Sequence, residues 1–213
     1  GENSILVVPG ANGRLAPDDI TEAMLEPYDV VLLQLEVPLA TVLHTVALAK
    51  KLGKIVLMNP APAPQQFDDR LIDVDVFCPN RSEAERILHK KILNRQDALL
   101  AVQSLIKLGA ASAIITLGEE GAVVAQSANK AEWIPACDIV PVDSTAAGDA
   151  FMGALAFLLA QRLDLIAAAH FASAAGACAA TVAGAQPSLP TLSEVEAMVR
   201  RSLTVDDFSK SPT

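Results

Sequence analysis

The sequence predicts an α/β domain of three layers, in which a mainly parallel sheet lies between two layers of helices. Two patterns and the composition point to it. Apolar runs of strand length alternate with segments of helical composition, and two of those segments stop at a glycine, Gly53 and Gly109, before the next run begins. A chain of 213 residues with 52% hydrophobic and 19% charged side chains can bury one substantial core and does not read as disordered.

Taken in order, residues 5–8 read as a short strand, followed by a turn at Pro9, Gly10, Ala11, Asn12 and Gly13. Residues 30–35 and 54–58 are apolar runs on either side of a helical segment at 40–52, which makes a βαβ unit. The pattern recurs with strands at 74–78 and 112–117 and helices at 82–88 and 96–108. Two weaker strands, 122–125 and 139–142, precede helices near 147–160, 165–182 and 193–202. The tail 206–213 is polar and is expected to fray. Right-handed crossovers between parallel strands then give the layered arrangement. No internal repeat or low-complexity linker divides the chain.

A formal net charge of -9, with no run of Lys or Arg, argues against a nucleic-acid partner or an anionic membrane surface. Cys78, Cys137 and Cys178 are far apart and form no C-x-x-C pair, so neither a disulfide framework nor a zinc site is favoured and a reducing cytoplasm fits. The Ala-rich stretch 165–185 is weakly apolar and broken by His170, Ser173 and Thr181, which counts against a membrane span. Gly1, Glu2, Asn3 and Ser4 lack the basic and long apolar regions of a secretory signal. His44, His89 and His170 have no Ser or Cys partner pattern and read as packing or surface residues.

In open α/β sheets ligands bind beyond the carboxyl ends of the strands, and polar residues gather at those ends here: Glu36, Asn59, Asn80 and Thr116. Asn59, before Pro60, reads as an ordinary turn residue. Asn80 and Glu83 read as a helix cap in which each side chain reaches the other's backbone. The competing reading takes Glu83 to a magnesium-bound water and Asn80 to a phosphate oxygen. The most informative segment runs from Val142 to Phe151, where small residues and Asp149 open an apolar helix. The unpaired N–H groups of that first turn can hold a phosphate or a developing oxyanion, and Gly148 lets a ligand approach the backbone. Asp149 would repel an anion but can accept a proton from an attacking hydroxyl, a combination that suggests a kinase. The same residues also read as a plain helix start with acidic side chains near its positive end. There is neither G-x-x-x-x-G-K-[ST] nor G-x-G-x-x-G, so a P-loop mechanism is out and a dinucleotide fold has no support.

Together these segments resemble the ribokinase-like carbohydrate kinases. The resemblance runs in order through Ala11-Asn12, Gln34-Leu35-Glu36, Asn59-Pro60-Ala61-Pro62-Ala63, Asn80-Arg81-Ser82-Glu83, Thr116-Leu117-Gly118, Asp143 through Asp149, and Gly184-Ala185-Gln186-Pro187-Ser188. It implies ATP-dependent phosphorylation of the primary hydroxyl of a small sugar, ribose by expectation, with Asp149 as the base and the Ala146, Ala147 and Gly148 backbone as an anion hole. Glu36 then matches a sugar-contacting carboxylate. Asn80 and Glu83 match the phosphate and magnesium-water positions. Thr116, Leu117, Gly118, Glu119, Glu120 and Gly121 match the nucleotide loop, together with Gly148 and Ser173. Ser173 stands where the family often has a larger Asn or His near adenine. Asp143, Thr145, Ala179, Val182, Gly184 and Ser188 resemble its monovalent-cation site, for which potassium is the implied ion. By the same resemblance the chain begins after the family's amino-terminal sugar-binding segment and lid. Residues 1–205 are then the nucleotide-binding and catalytic part of a ribokinase-like domain, 206–213 its tail, and a homodimer is allowed for the complete enzyme. A kinase for another sugar, a nucleoside or a sugar acid shares these features, as does a nucleotide-binding module that transfers nothing.

Overall fold

The computed structural model describes residues 8–209. The expected strand at 5–8 lies outside them except for Val8, and the expected turn at 9–13 runs into a 3-10 turn at Asn12–Arg14. The order of elements is α1 (Glu22–Leu25), β1 (Val30–Leu33), α2 (Leu39–Lys51), β2 (Ile55–Met58), β3 (Val76–Phe77), α3 (Arg81–Leu88), α4 (Arg95–Leu108), β4 (Ser112–Thr116), β5 (Ala122–Ser127), β6 (Lys130–Ile134), α5 (Ala147–Ala160), α6 (Leu165–Ala180) and α7 (Leu192–Ser209). The six strands lie in sequence order across one sheet. β1 through β4 are parallel, and β5 and β6 return antiparallel, giving the expected three-layer α/β/α fold with a mainly parallel sheet.

Alternation along the strands sends side chains to two cores. Val31, Val56, Met58, Phe77, Ala113, Ile115 and Val123 pack with Val42 and Val46 of α2 and Ala98, Val102 and Leu105 of α4. Leu57, Val76, Ile114, Val124 and Ile134 face the other way, onto Phe151 and Leu155 of α5 and Leu165, Ala168 and Ala172 of α6. Each fully buried Leu, Ile or Phe here contributes about 1.5–3 kcal/mol. The helices that connect β1 to β4 thus cover one face, and the helix pair later in the chain covers the other.

Three expectations need correction or trimming. Residues 139–142 form no strand, because Pro141 has no N–H to give a ladder and Val142 donates its own to the Ala180 carbonyl at 2.7 Å. The last strand is instead β6, which the sequence reading passed over because Lys130 and Glu132 interrupt its apolar character. They lie on one side of this edge strand and pair with each other at 2.9 Å. α7 continues to Ser209, past the expected end at 202 and into the expected tail, since no Gly or Pro interrupts the chain before Pro212. β3 is shorter than expected because the Asp75 carboxylate accepts the Val56 N–H at 2.8 Å, where a longer strand would have supplied a carbonyl. Among the described residues no helix is long and apolar enough to cross a membrane.

Candidate active site

The parallel strands deliver their carboxyl ends to one edge of the sheet. There Asn80 and Thr116 form an isolated parallel bridge, with the Thr116 N–H donating to the Pro79 carbonyl at 3.1 Å. Asn59, just past the end of β2, donates from its side chain to the Cys78 carbonyl at 2.9 Å and so ties the ends of β2 and β3 together. Beyond β4 the chain makes a short 3-10 turn, Gly118–Glu120, and reverses at Gly121.

A cleft of about 890 Å³ opens beside this reversal. Its walls include Thr116, Leu117, Gly118, Glu119, Glu120 and Gly121 on one side, and Ala147 and Gly148 of α5 with Ser173, Gly176 and Ala177 of α6 on others. All six residues of the expected nucleotide loop therefore share a cleft with the start of α5. α5 has no side-chain cap at Ala146, which is buried, and a methyl group added at Gly148 would meet nothing within 4 Å. Backbone and space are thus open to a ligand at that turn, although the Ala147 N–H already donates to the Ser144 carbonyl at 3.2 Å. Asp149 follows Gly148 in the same first turn and is exposed. Close packing fixes the turn from behind. A Cβ at Gly176 would stand 3.0 Å from the Ala147 carbonyl oxygen, so the smallest residue lets α6 support the beginning of α5.

Asn80 and Glu83 realise the capping box in full. The Asn80 N–H and side-chain amide donate to the two Glu83 carboxylate oxygens at 2.7 and 2.8 Å, and the Glu83 N–H returns to Asn80 Oδ1 at 3.0 Å. Glu83 is only 6% exposed, and burial pushes its carboxyl above the usual range, opposed by the Asn80 N–H and the nearby Arg86 charge.

Of the residues expected around a monovalent cation, Asp143, Thr145 and Gly184 are joined by hydrogen bonds. Asp143 accepts the Gly184 N–H at 2.8 Å and both the N–H and hydroxyl of Thr145, while its own N–H reaches the Ala180 carbonyl at 3.2 Å. Ala179 accepts the Val182 N–H at 3.2 Å, and the buried Ser188 donates its hydroxyl to the Ala185 carbonyl at 2.7 Å. Their potential ligands are oxygens, which suits a hard cation. Among the described residues no group of three or more His, Cys, Asp or Glu is placed to hold a metal ion.

Thr145 and Gly184 hold the Asp143 carboxyl below its ordinary value of 3.8. A depressed folded pKa stabilises the fold fully above the unfolded value and is lost as pH falls through the folded one. Asp143→Asn should therefore lower the thermal unfolding midpoint at neutral pH, with the difference from the parent shrinking as pH falls through the ordinary carboxylate value of 3.8 and below it. A difference that stayed constant over that range would show that charge on Asp143 does not hold the two loops together.

Asn80, Glu83, Ala146 and Asp149 lie close in sequence to residues of the cleft without lining it, Asp143, Thr145, Ala179, Val182, Gly184 and Ser188 do not line it either, and Glu36 lies elsewhere. Glu36 lines a separate groove of about 430 Å³, walled by β1, α2 and residues such as Leu15 and Tyr28. Conversely, the sequence reading did not single out Arg81, Ala136, Cys137, Asp138, Pro141 or Gly176 as cleft residues. Pro135 and Pro141, bracketing a stretch that cannot pair, were the available signal for a wall built from extended chain.

Comparison with known proteins gives the chain its family. The family model described as pfkB family carbohydrate kinase matches residues 1–192. The chain is 36% identical to ribokinase of Haemophilus influenzae over 195 residues, covering 91% of this chain and 63% of that protein. It is also 36% identical to deoxyribokinase of Salmonella typhi over 195 residues, covering 90% of this chain and 63% of that protein. Among solved structures, Arabidopsis thaliana ribokinase complexed with ribose and ATP superimposes with a TM-score of 0.84 at 27% identity, over 94% of this chain and 66% of that one. The chain thus spans about two thirds of the length of these relatives. With nearly all of its length matched in sequence and in fold, the chain belongs to the pfkB family of carbohydrate kinases.

Proposed function

We propose that the protein transfers the terminal phosphoryl group of ATP to the primary hydroxyl of D-ribose, giving ribose 5-phosphate. The observation that carries this reading is the meeting of the loop Thr116 to Gly121 with Ala147 and Gly148 in the first turn of α5, the turn that also carries Asp149, around one nucleotide-sized cleft. In this reading Asp149 accepts the proton of the sugar hydroxyl as it attacks. The backbone at Ala146, Ala147 and Gly148 faces the charge that develops on the transferred phosphoryl group. Residues 1–205 act as the nucleotide-binding and catalytic part, working in the cytoplasm.

Glu83 would hold Mg2+ through water, since its oxygens keep lone pairs beyond those used by Asn80. Bound magnesium neutralises charge on the phosphate oxygens. Asp143, with Thr145, Ala179, Val182, Gly184 and Ser188, would hold K+ next to the α5 turn. The relatives' names support both ribose and deoxyribose as acceptors, at equal identity.

Calorimetry with ADP and a coupled assay with ATP and ribose or 2-deoxyribose test the reading. They should be run on this chain and on a form extended at its amino end, in K+, Na+ and a large organic cation. The expected result is ADP binding by both forms and transfer to ribose by the extended form, fastest in K+, with negligible transfer by the short chain. Equal rates in the three cations would remove the potassium assignment. ADP binding without transfer by either form would favour a nucleotide-binding module.

A further inference from the structure

The cleft poses an electrostatic problem. Glu119, Glu120 and Asp138 line it, and Arg81 is the one cationic side chain among the described residues that do so, in a protein of net charge -9. A nucleoside di- or triphosphate brings several more negative charges to the same space. Arg81 is the first residue of α3, directly after the Asn80 that bridges to Thr116, so its guanidinium leaves the backbone at the seam where the cleft begins. Its partner is the carboxylate of Glu120, which lies between Gly118 and Gly121 in the loop expected to meet the nucleotide. Glu85, one turn further along α3, also bears on Arg81 but is already engaged by Lys91 and by the Ile92 N–H.

We propose that Arg81 binds the phosphate tail of the nucleotide and that Glu120 holds its guanidinium in place until the phosphate displaces it. This rests on the nucleotide-binding reading of the cleft and adds to it the residue that receives the charge. The side chains of Arg81 and Glu120 are 34% and 44% exposed, and ion pairs this accessible to water contribute little to stability, so the pair is easily exchanged. A phosphate offers the planar guanidinium two parallel charge-assisted hydrogen bonds and more negative charge than one carboxylate. Glu120, once released, stays in contact with water and leaves no buried charge behind. The neutral pair keeps an acidic cleft from repelling its ligand before the exchange.

The two partners should respond with opposite signs. Calorimetric titration of the 213-residue chain with ATP and ADP, with adenosine as the phosphate-free probe, separates the cases. Arg81→Gln should weaken ATP and ADP by about tenfold, the effect expected for one lost charge-assisted contact, and leave adenosine unchanged. Glu120→Gln should tighten ATP and ADP severalfold and have no effect in the Arg81→Gln background. Arg81→Lys should lie between Arg81→Gln and the parent, since it keeps the charge and loses the fork. If Arg81→Gln and Glu120→Gln both weaken all three ligands, the pair merely shapes the loop and the proposal is overturned. Unchanged ATP affinity in a folded Arg81→Gln protein overturns it as well. A parent chain that binds none of the three ligands overturns the nucleotide-binding reading, and this inference falls with it.

Discussion

Asp149→Asn is expected to lower phosphoryl transfer by about a hundredfold or more while leaving ADP affinity intact, because a positioned general base typically contributes ~10²–10⁴. The substitution preserves shape and removes only the capacity to accept a proton at a carboxylate oxygen. Asp149 is exposed in the first turn of α5, next to the Gly148 that lines the cleft, and no core contact depends on its charge. Its removal takes one negative charge away from the neighbourhood of a phosphate tail, so nucleotide affinity should hold or rise slightly. The measurement is single-turnover transfer from ATP to the sugar in the catalytically active form, paired with ADP calorimetry. Transfer at the parent rate would strip Asp149 of the base role, and a loss of binding equal to the loss of rate would make it a structural residue.

Gly121→Ala should be the most damaging single change to the fold among those considered. Gly121 has φ 93° and ψ -130°, a conformation that L side chains rarely adopt. A Cβ there would stand 2.1 Å from the Ile134 carbonyl oxygen, 2.7 Å from the Ala136 nitrogen and 2.8 Å from the Pro135 carbonyl carbon. All three are backbone atoms and cannot swing aside, so the β5–β6 hairpin would have to shift. A loss of about 3 kcal/mol or more is expected, which corresponds to roughly 6–12 °C in unfolding midpoint for a chain of this size. Gly53→Ala is the matched control, with φ 66° and nothing within 4 Å of the new methyl. Its cost should stay near about 1 kcal/mol. Similar midpoints for the two variants would show that the close approach at Gly121 does not constrain the fold.

Much of this architecture was legible from periodicity alone. The runs at 54–58 and 112–117 lie in strands buried on both faces, which carry near-continuous apolar sequence and announce themselves, and the run at 30–35 gives the edge strand β1, where Val31 is buried and its neighbours are partly so. β6 did not, because its outward positions are charged, and residues 139–142 misled for the converse reason: β-branched residues in an extended segment whose prolines forbid pairing. The site divides in the same way. Thr116 through Gly121, Ala147, Gly148 and Ser173 sit together, as motif order implies. Glu36 does not line their cleft, because it follows β1 at one edge of the sheet whereas the loop lies between β4 and β5. Strand order across a sheet is set by packing, and one sequence does not reveal it. Arg81 was overlooked since its importance lies in its partner, 39 residues away, and in the acidity of the cleft around it.

The cleft joins parts of the chain that are made at different times. One wall comes from the loop after β4, the other from α5 and α6, and the extended stretch from Ala136 to Pro141 spans between them. A molecule seated there would grip the sheet and the later helix pair at once, and so act as a clasp across the seam. Its binding energy would be added to the cohesion of the two halves: at a concentration 100 times its dissociation constant, a ligand that binds only the folded protein raises stability by about 2.7 kcal/mol. The abundance of the phosphate donor in a cell would then govern how long the protein survives as well as how fast it works. Proteolytic nicking at the spanning stretch should slow when nucleotide is present.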